Sequence, residues 1–574
     1  MNVNFSVNEA CASSDGFTHW HGISWRQCEE NVKRLQTRIV KATQEGRWGK
    51  VKSLQWLLTH SQSAKALAVK RVTENQGKNT AGVDGETWNT PEAKLNGLNS
   101  LKRRGYQSLP LRRVEILKKN GKKRKLGIPT IKDRAMQALY LAALQPIAET
   151  LADRNSYGFR PERSTADARE EGFKSLNNQQ SAQWILEGDI KGCFDNIDHD
   201  WLMKHIPMDK QILKMWLKAG CIFNGEFIEI EAGTPQGGII SPTLANMALD
   251  GLEMKIDQKF ASRTKWDKET KRYFKANKNK VNFIRYADDF VITGVSKELL
   301  ENEVKPLVEE FLKPRGLELS PEKTKVVNIA DGFDFLGWNF RKYDEKLLIK
   351  PSDDSVKSLL TKVRGIFDDN KTAKPEMLIL KLNPILSGWA EYHKGAVSCK
   401  TFAYIDNQIW LKTWQWAKRR HPKKGRNWIK VKYFTRSGNF NWTFYGSGKG
   451  DKDVVTLFRM ALVKITRHIK IKSEANPFDP KYEEYFESRL IFKMKKGVAG
   501  RRKLAHLWLH QNGICPVCNQ RINDLDNTQI HHILEKAKGG PDILPNLIVL
   551  HPNCHRQVHS RGLTVGKPGR ASDF

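Results

Sequence analysis

Two adjacent carboxylates, Asp288 and Asp289, lie between two short runs of β-branched and aromatic residues, in the stretch NFIRYADDFVIT at 282–293. Such runs on either side of an acidic pair predict a β-hairpin with the acids at its turn. Like charges held that close repel each other, and a divalent cation such as Mg²⁺, which prefers oxygen ligands, removes the repulsion. Taken alone, an Asp-Asp pair at a turn is more often solvated than metal-bound.

A third carboxylate, Asp189, ends the apolar run WILEG at 184–188. An acid at the end of one strand, beside a hairpin that carries two more, would supply the third oxygen ligand of a two-metal site. An isolated Asp in this position is more often a helix N-cap or a surface acid. Together the three acids favour magnesium-dependent chemistry.

A second group of residues has the spacing of a metal knuckle. Cys515 and Cys518 form a C-x-x-C pair, and His551 and Cys554 form an H-x-x-C pair. Four nitrogen and sulfur ligands in two short-spaced pairs predict a closed structural Zn²⁺ site. The chain has eight cysteines, and the others are scattered, which favours a reduced compartment.

The elements that must position these residues can be read in outline. Apolar residues at helical spacing predict two or three amphipathic helices with basic outer faces over 24–72. The segment 114–129 predicts a basic β-hairpin that turns at Asn120-Gly121, and 133–151 predicts a buried helix. A Gly-rich loop at 234–242 leads into a further helix and lets the backbone approach a ligand closely.

Charge indicates the kind of partner. The 574 residues contain 97 Lys plus Arg and 63 Asp plus Glu, a formal net charge of +34 with a pI of about 9.7. Cations spread from end to end favour a long polyanion, a nucleic acid, over one small phosphate ligand. A membrane surface is the competing partner, but no basic amphipathic anchor stands apart. No apolar run of membrane-spanning length and no secretory signal occurs, so we expect a protein that is not secreted.

Eight motifs in register resemble the reverse transcriptases encoded by bacterial and organellar group II introns. They are AGVDG at 81–85, KRKLGIPTIKDRAMQ at 123–137, NSYGFRPERSTADA at 155–168, LEGDIKGCFDNIDH at 186–199, GTPQGGIISPTLAN at 233–246, RYADDF at 285–290, LSPEKTK at 319–325 and FDFLGWNF at 333–340. The segments 384–395 and 409–434, in which Trp, Tyr, Lys and Arg alternate, look like the thumb or maturase region of the same family. Interleaved aromatics and cations suit RNA, although Trp389, Trp410 and Trp414 are individually more often core anchors between helices than RNA contacts.

The resemblance implies roles for individual residues. Asp189, Asp288 and Asp289 would be the catalytic carboxylates that bind two Mg²⁺ ions, with Asp289 less direct than Asp288 because neighbours on a strand face opposite ways. The substrate-binding residues implied for an incoming dNTP are Lys118, Arg124, Phe194, Gln236 and Lys323. Phe194 would close the sugar pocket against a 2′-hydroxyl, Gln236 would lie beside the nucleotide, and Lys118 and Arg124 would contact the triphosphate. Lys323 would act near the leaving group or remain a surface lysine.

The segment 508–560 resembles the HNH nuclease, or ββα-metal, motif. The resemblance implies His531, His555 and His559 as ligands of one divalent ion, and His532 as the general base that activates water. Asn546 would orient His532 or brace its loop. The family more often has Cys where His551 stands, and His remains a competent zinc ligand. A zinc-stapled DNA-binding module without cleavage is the alternative.

The resemblance implies a multidomain α+β fold: a right-hand polymerase whose fingers and palm contain an antiparallel sheet, a helical thumb, a DNA-binding segment and a small zinc-stapled HNH domain. The domains are an N-terminal helical extension (1–80), fingers and palm (81–350), thumb or maturase domain (351–450), basic DNA-binding region (451–507) and HNH domain (508–574).

The predicted function is that of an RNA-directed DNA polymerase of a mobile group II intron, which also assists splicing and nicks target DNA to prime cDNA synthesis. Its partners would be intron RNA, target DNA and dNTPs, in a bacterial cytoplasm or nucleoid or an organelle matrix. Three alternatives differ in class: a splicing factor with a vestigial polymerase, a reverse transcriptase of phage defence or a retron, and a homing endonuclease on an RNA-binding platform.

Overall fold

A computed structural model describes the chain from residue 17 to residue 566. Within that span the described residues exclude 18, 118–120, 122, 261–262, 268–271, 277, 439, 448–453, 496–501, 523–527, 535–539 and 542. The architecture is mixed α/β and multidomain, as the sequence predicted. In the described part of the chain, no helix is both long and apolar enough to cross a membrane.

Four helices form the N-terminal part of the described chain. They are α1 (Trp25–Gln44), α2 (Trp48–His60), α3 (Gln62–Glu74) and α4 (Pro91–Ser100). The apolar spacing over 24–72 therefore predicted this helical region correctly. The buried faces of α1, α2 and α3 pack on α5 (Ile131–Leu151), and α4 packs on α3. Helix α5 begins where the Thr130 hydroxyl accepts a hydrogen bond from the Asp133 N–H. The helical extension thus shares one hydrophobic core with the region that follows it.

The predicted basic hairpin is present as β1 (Leu111–Leu117) and β2 (Lys123–Ile128), paired antiparallel with Leu117 opposite Lys123. Asn120, at its predicted turn, lies outside the described residues. After α6 (Thr165–Leu176) come the strands and helices of the central region. They are β3 (Trp184–Asp189), α7 (Cys193–Asn196), α8 (His199–His205), α9 (Lys210–Leu217), β4 (Cys221–Phe223), β5 (Glu226–Ile228), α10 (Ser241–Leu249), α11 (Leu252–Phe260), β6 (Arg263–Asp267), β7 (Arg272–Ala276), β8 (Phe283–Tyr286) and β9 (Asp289–Gly294).

A four-stranded antiparallel sheet positions the three acids. Its strand order is β10-β3-β9-β8, so β3 is central and pairs with both β9 and β10. The helices and strands that complete this region are α12 (Lys297–Leu299), α13 (Lys305–Leu312), β10 (Lys325–Asn328), β11 (Phe333–Phe335), β12 (Trp338–Tyr343) and β13 (Lys346–Pro351). A second sheet, β2-β1-β4-β5, stands beside it.

The next region has its own hydrophobic core. It contains α14 (Asp353–Asp369), α15 (Pro375–His393), α16 (Cys399–Arg420), α17 (Arg426–Tyr433), β14 (Phe434–Ser437), β15 (Phe440–Ser447) and β16 (Val454–Thr456). Trp389, Trp410 and Trp414 are partly buried against this core, whereas most of the cations at 418–426 are exposed. These three tryptophans therefore contribute to the packing of this core.

The chain then returns across the central region before it reaches the C-terminal module. This return segment, residues 464–486, contacts α6: His468 binds Asp167, and Lys470 binds Glu171. The C-terminal module contains α18 (Glu483–Lys495), α19 (Arg502–His510), β17 (Gln529–His532), β18 (Leu547–Leu550) and α20 (Pro552–Arg561). Strands β17 and β18 pair antiparallel, and α20 follows them directly.

Candidate active sites

The three predicted acids meet at one end of the central sheet. Asp189 is the last residue of β3 and is directly opposite Asp289, the first residue of β9. Tyr286 also pairs with Asp289, so Ala287 and Asp288 are the two turn residues of the hairpin. The hairpin predicted from the apolar runs is therefore present with the acids at its turn.

The turn is held in an unusual backbone conformation. Ala287 has a φ of 59°, in the left-handed region that residues with a side chain rarely adopt. Gly158 packs against it so closely that a Cβ at position 158 would lie 2.3 Å from the Ala287 nitrogen. The fully buried Arg285 donates to the Ala287 carbonyl at 3.3 Å and to the Asp250 carboxylate at 2.5 Å. These contacts fix the turn and with it the position of Asp288.

The carboxylates perturb one another, as their spacing requires. Burial, followed by the negative charge of Asp189, raises the pKa of Asp288 above its usual range. Burial, together with the negative charges of Asp288 and Asp189, raises the pKa of Asp289 to about 6. A set of oxygen ligands that repel one another fits a hard divalent cation, because the cation replaces the repulsion with attraction.

Lys323 is the counter-charge nearest to these acids in the described residues. Its Nζ donates to both carboxylate oxygens of Asp189, at 3.0 and 2.9 Å, and its side chain is 66% exposed. Lys323 reaches the site from the loop that precedes β10, the neighbour of β3 in the sheet. The structure therefore brings this predicted residue to the carboxylates.

A cleft of about 820 Å³ opens in front of the acids. Six of the predicted residues line it: Asp189, Asp288, Lys323, Arg124, Phe194 and Gln236. The wall opposite the acids is basic and comes from the β1–β2 hairpin, with Arg113, Lys123 and Lys125 beside Arg124. Lys118 lies outside the described residues. An acidic floor beneath a basic wall suits a phosphate-bearing substrate with bound metal ions.

A hydrogen-bond relay crosses this cleft and includes a residue that the sequence did not single out. Arg124 Nε donates to Gln236 Oε1 at 2.8 Å, and Gln236 Nε2 donates to Asp195 Oδ1 at 3.0 Å. The preceding residue, Phe194, packs edge-on against Phe159 with ring centroids 5.9 Å apart. Asp195 directly follows Phe194 in the sequence, but only the fold brings its carboxylate to Gln236.

The predicted knuckle residues converge in the C-terminal module. The ligand atoms of Cys515, Cys518, His551 and Cys554 all lie within 4.8 Å of one another. Cys515 and Cys554 are fully buried, and the Nδ1 of His551 lies 3.4 Å from the Cys518 sulfur. Three sulfurs and one imidazole, two of them on fully buried residues and two on partly buried ones, form a donor set that fits a structural metal ion.

A second cluster in the same module consists of imidazoles. His531 on β17 and His555 and His559 on α20 have ring nitrogens within 4.8 Å of one another. Burial and the neighbouring His559 and His531 lower the pKa of His555, which favours the neutral, metal-binding form. His532 is the next residue of β17, so its side chain starts from the other face of the strand. The cluster fits one divalent ion.

Asn546 braces the loop that follows β17. Its Oδ1 accepts from the Leu534 N–H at 2.8 Å, and its Nδ2 donates to the carbonyl oxygens of Leu534 and Pro541, at 3.0 and 2.9 Å. Of the two roles foreseen for Asn546, these bonds support bracing. They hold the chain two residues after His532 against the start of β18.

Comparison with known families gives four matches along the chain. Residues 20–101 match the N-terminal domain of reverse transcriptase, and 116–340 match the reverse transcriptase (RNA-dependent DNA polymerase) family. Residues 356–434 match the group II intron maturase-specific domain, and 515–561 match the HNH endonuclease family. The matches fall on the regions that hold the two candidate sites.

Individual relatives agree with these matches. Protein YkfC of Escherichia coli is 35% identical over 302 residues, covering 47% of this chain and 78% of that protein. The group II intron-encoded protein LtrA of Lactococcus lactis is 33% identical over 374 residues, covering 54% of this chain and 61% of LtrA. A solved telomerase from Candida albicans aligns with 57% of this chain and 66% of that chain, at 14% identity and a TM-score of 0.33, which is too low to bear on the fold.

The resemblance predicted from the eight motifs is thus confirmed. The reverse transcriptase, maturase and HNH segments occur in one chain, in the order that the motifs indicated. The chain belongs to the group II intron-encoded proteins, with a reverse transcriptase domain, a maturase domain and an HNH endonuclease domain.

Proposed function

We propose that Asp189, Asp288 and Asp289 catalyse RNA-templated DNA synthesis in the cleft between the central sheet and the β1–β2 hairpin. The observation that carries the proposal is the direct pairing of Asp189 with Asp289, with Asp288 beside them at a rigid turn. Three carboxylates meet at one end of the central sheet, two of which (Asp189 and Asp288) line the cleft, and together they form the oxygen-ligand set that phosphoryl transfer with metal ions requires.

The chemistry divides between this floor and the basic wall. The carboxylates would hold two Mg²⁺ ions, which when bound supply the Lewis acidity that activates a primer hydroxyl and neutralises charge on the transferred phosphate. Arg124 would contact the triphosphate from the wall, where its planar fork can bind two phosphate oxygens. Phe194 would pack against the sugar and exclude a 2′-hydroxyl, and Lys323 would meet the leaving pyrophosphate.

The experiment that tests this function is cDNA synthesis from an RNA template and an annealed DNA primer in Mg²⁺, with and without intron RNA. Asp288→Ala should abolish synthesis, because it removes one of the ligands. Asp354→Ala is the matched control, since Asp354 is 91% exposed on α14 and distant in sequence from the acids. Equal activity of the parent and the Asp288 variant would place the chemistry elsewhere. An inactive parent would favour a splicing factor that carries a nuclease.

We propose that the C-terminal module nicks DNA. His532 would act as the general base toward water, and His531, His555 and His559 would hold the divalent ion that stabilises the scissile phosphate. The ligands Cys515, Cys518, His551 and Cys554 would hold a structural Zn²⁺. His532→Ala should lose nicking while primer extension continues, which also excludes a homing endonuclease as the sole activity. A nuclease-silent parent would favour the DNA-binding alternative.

We further propose the domain division predicted from the sequence, together with a right-hand arrangement of fingers, palm and thumb. The thumb or maturase domain would bind the intron RNA through the exposed cations at 418–426. Target DNA would be held by the exposed residues Lys464, Arg467 and Lys472 of the return segment, since others there are engaged within the protein. The nicked DNA end would then prime copying of the intron.

A further inference from the structure

Helix α20 of the HNH module contacts the first helices of the chain. Gln557, only 5% exposed, donates from Nε2 to the carbonyl oxygen of His21 at 3.0 Å, across 536 positions of sequence. One residue earlier, the Arg556 guanidinium lies 3.6 Å from the carboxylate of Glu74, the last residue of α3. The Glu74 side chain is only 11% exposed and the Arg556 side chain 41%, so the carboxylate end of this ion pair is shielded from water.

A second cation lies on the same helix as Glu74. Lys70, one turn before Glu74 on α3, has a side chain only 13% exposed. Its Nζ lies 3.5 Å from Glu29 and 5.0 Å from the centroid of the Trp25 ring. The charges that act on Lys70 are, in order, those of Glu74, Glu29, Cys554 and Cys518. A buried ammonium requires anionic neighbours, and the two carboxylates supply most of them, with the knuckle adding to them.

Glu74 lies between two cations, Lys70 of its own helix and Arg556 of the module. Three thiolates and one neutral imidazole around a divalent ion would leave one net negative charge on the knuckle, near Lys70. A carboxylate that Arg556 reaches and a cation that lies near the knuckle favour one orientation of the module over a reversed one.

We propose that α3 is the docking surface of the HNH module, which rests on it through its metal-bearing knuckle and the first turns of α20. Lys70 and Glu74 form the charged part of this surface on α3, and Gln557 of the module is hydrogen-bonded to the backbone at His21. The nuclease is thereby held at one place on the reverse transcriptase, so that its product is released at a set distance from the cleft. This docking stands independently of whether either site is catalytically active.

The accessibility of Lys70 reports the docked state. We would treat the full-length, zinc-loaded chain with an amine-reactive reagent and quantify the modification of each lysine by mass spectrometry. Lys33, whose side chain is 57% exposed, is the internal reference in every sample. Arg556→Glu should raise the labelling of Lys70 relative to Lys33 by about tenfold, the effect of losing one coupled charge pair of ordinary strength. Arg556→Lys should keep Lys70 protected, because it keeps the positive charge.

Two further variants separate docking from general damage. Gln557→Leu should also expose Lys70, since it removes the bond to His21 without a change of charge. Arg26→Glu is the matched control: Arg26 is 57% exposed in a surface pair with Glu30, and its substitution should leave Lys70 protected. Zinc content is measured in each variant, so that loss of the knuckle is not mistaken for loss of docking. Removal of zinc from the parent should also expose Lys70.

One result would overturn the proposal directly. If Lys70 stays equally protected in Arg556→Glu, in Gln557→Leu and after zinc removal, its burial comes from the N-terminal helices alone, and α3 is not a docking surface. Exposure of Lys70 in the Arg26→Glu control to the same extent would likewise reject docking, because the response would not be specific to the contact.

Discussion

The Nζ of Lys323 donates hydrogen bonds to both carboxylate oxygens of Asp189, and these are the two oxygens that would bind a metal ion. A cation that binds Asp189 must displace this lysine or share the carboxylate with it. The hydrogen bond to Asp189 raises the pKa of Lys323, which keeps the lysine charged throughout the physiological range. If metal ions neutralise Asp189 as proposed, Lys323 would be free to turn toward a phosphate.

Lys323→Gln should change the Mg²⁺ requirement and the dNTP requirement of polymerase activity in opposite directions. The Mg²⁺ concentration for half-maximal rate should fall, by about threefold, because the competing ammonium is gone. The KM for dNTP should rise, because a phosphate contact is lost. Steady-state rates measured over a grid of Mg²⁺ and dNTP concentrations check both. Lys325→Gln is the matched control, since Lys325 is 62% exposed and pairs with Glu187 instead. An unchanged Mg²⁺ dependence would mean that Lys323 does not compete.

Asp289 makes the metal site sensitive to pH. Its pKa of about 6 lies above the value of a free Asp, near 3.9, so the folded protein without Mg²⁺ binds the proton more tightly than the unfolded chain. The free energy of unfolding without Mg²⁺ therefore falls as pH rises from about 4 through 6. At pH 8 Asp289 is ionised, and its full destabilising effect is present. Asp289→Asn should raise the melting temperature in Mg²⁺-free buffer at pH 8, with little difference near pH 4.

The same proton competes with the metal in the parent. Apparent Mg²⁺ affinity should weaken as pH falls below about 6, in addition to any pH effect on the chemical step. Melting curves with and without saturating Mg²⁺ at pH 5 and pH 8 measure this through ligand-induced stabilisation. Equal stabilisation by Mg²⁺ at both pH values would contradict the assignment of Asp289 to the site.

Asp195 should govern substrate affinity through Gln236. Asp195→Ala removes the acceptor for Gln236 Nε2, so the amide is free to turn away from Arg124, and the KM for dNTP should rise by about threefold to tenfold. The maximal rate should change less, because the metal ligands are intact. Asp195→Asn should behave like the parent, since its amide oxygen can still accept. Pre-steady-state incorporation kinetics distinguish the two effects, and an equal loss in both variants would show that the charge, not the acceptor, is what matters.

Asp167 should be a major stabilising residue of the fold. Burial alone would raise its pKa, but hydrogen bonds and charges from His468 and Arg489 hold that pKa well below its usual range. Asp167→Ala leaves Arg489 buried without its carboxylate partner and should cost about 3 kcal/mol or more at pH 7. Because the folded pKa is depressed, the parent has this stabilisation above about pH 4 and loses it as pH falls further. Urea unfolding at pH 7 and pH 3 checks both statements.

The sequence predicted local structure from its patterns and the convergence of Asp189 with Asp288 and Asp289 through its resemblance to a family, but it missed long-range contacts that no motif carries. The apolar runs around Asp288 and Asp289 were enough to predict the hairpin, because strand alternation and a turn are local properties. Asp195 was not predicted, since its partner Gln236 lies 41 positions away and only the fold brings the two together.

The return segment shows the same limit in another way. Its composition predicted a basic surface for DNA, yet His468 and Lys470 of this segment, together with Arg489 of α18, bind acids on α6. Those acids lie about 300 positions earlier in the chain, and a count of charges cannot reveal that they are neutralised within the fold. The exposed cations of the segment remain available for phosphate.

The pinning of the return segment at Asp167 has a mechanical consequence. The chain that leaves the maturase region is anchored on α6 before it reaches the nuclease. A displacement of the maturase region would therefore be opposed at this anchor before it could reach the nuclease along the chain. The spacing between the polymerase cleft and the nuclease would then depend on the anchor and not on the region that lies between them in the sequence.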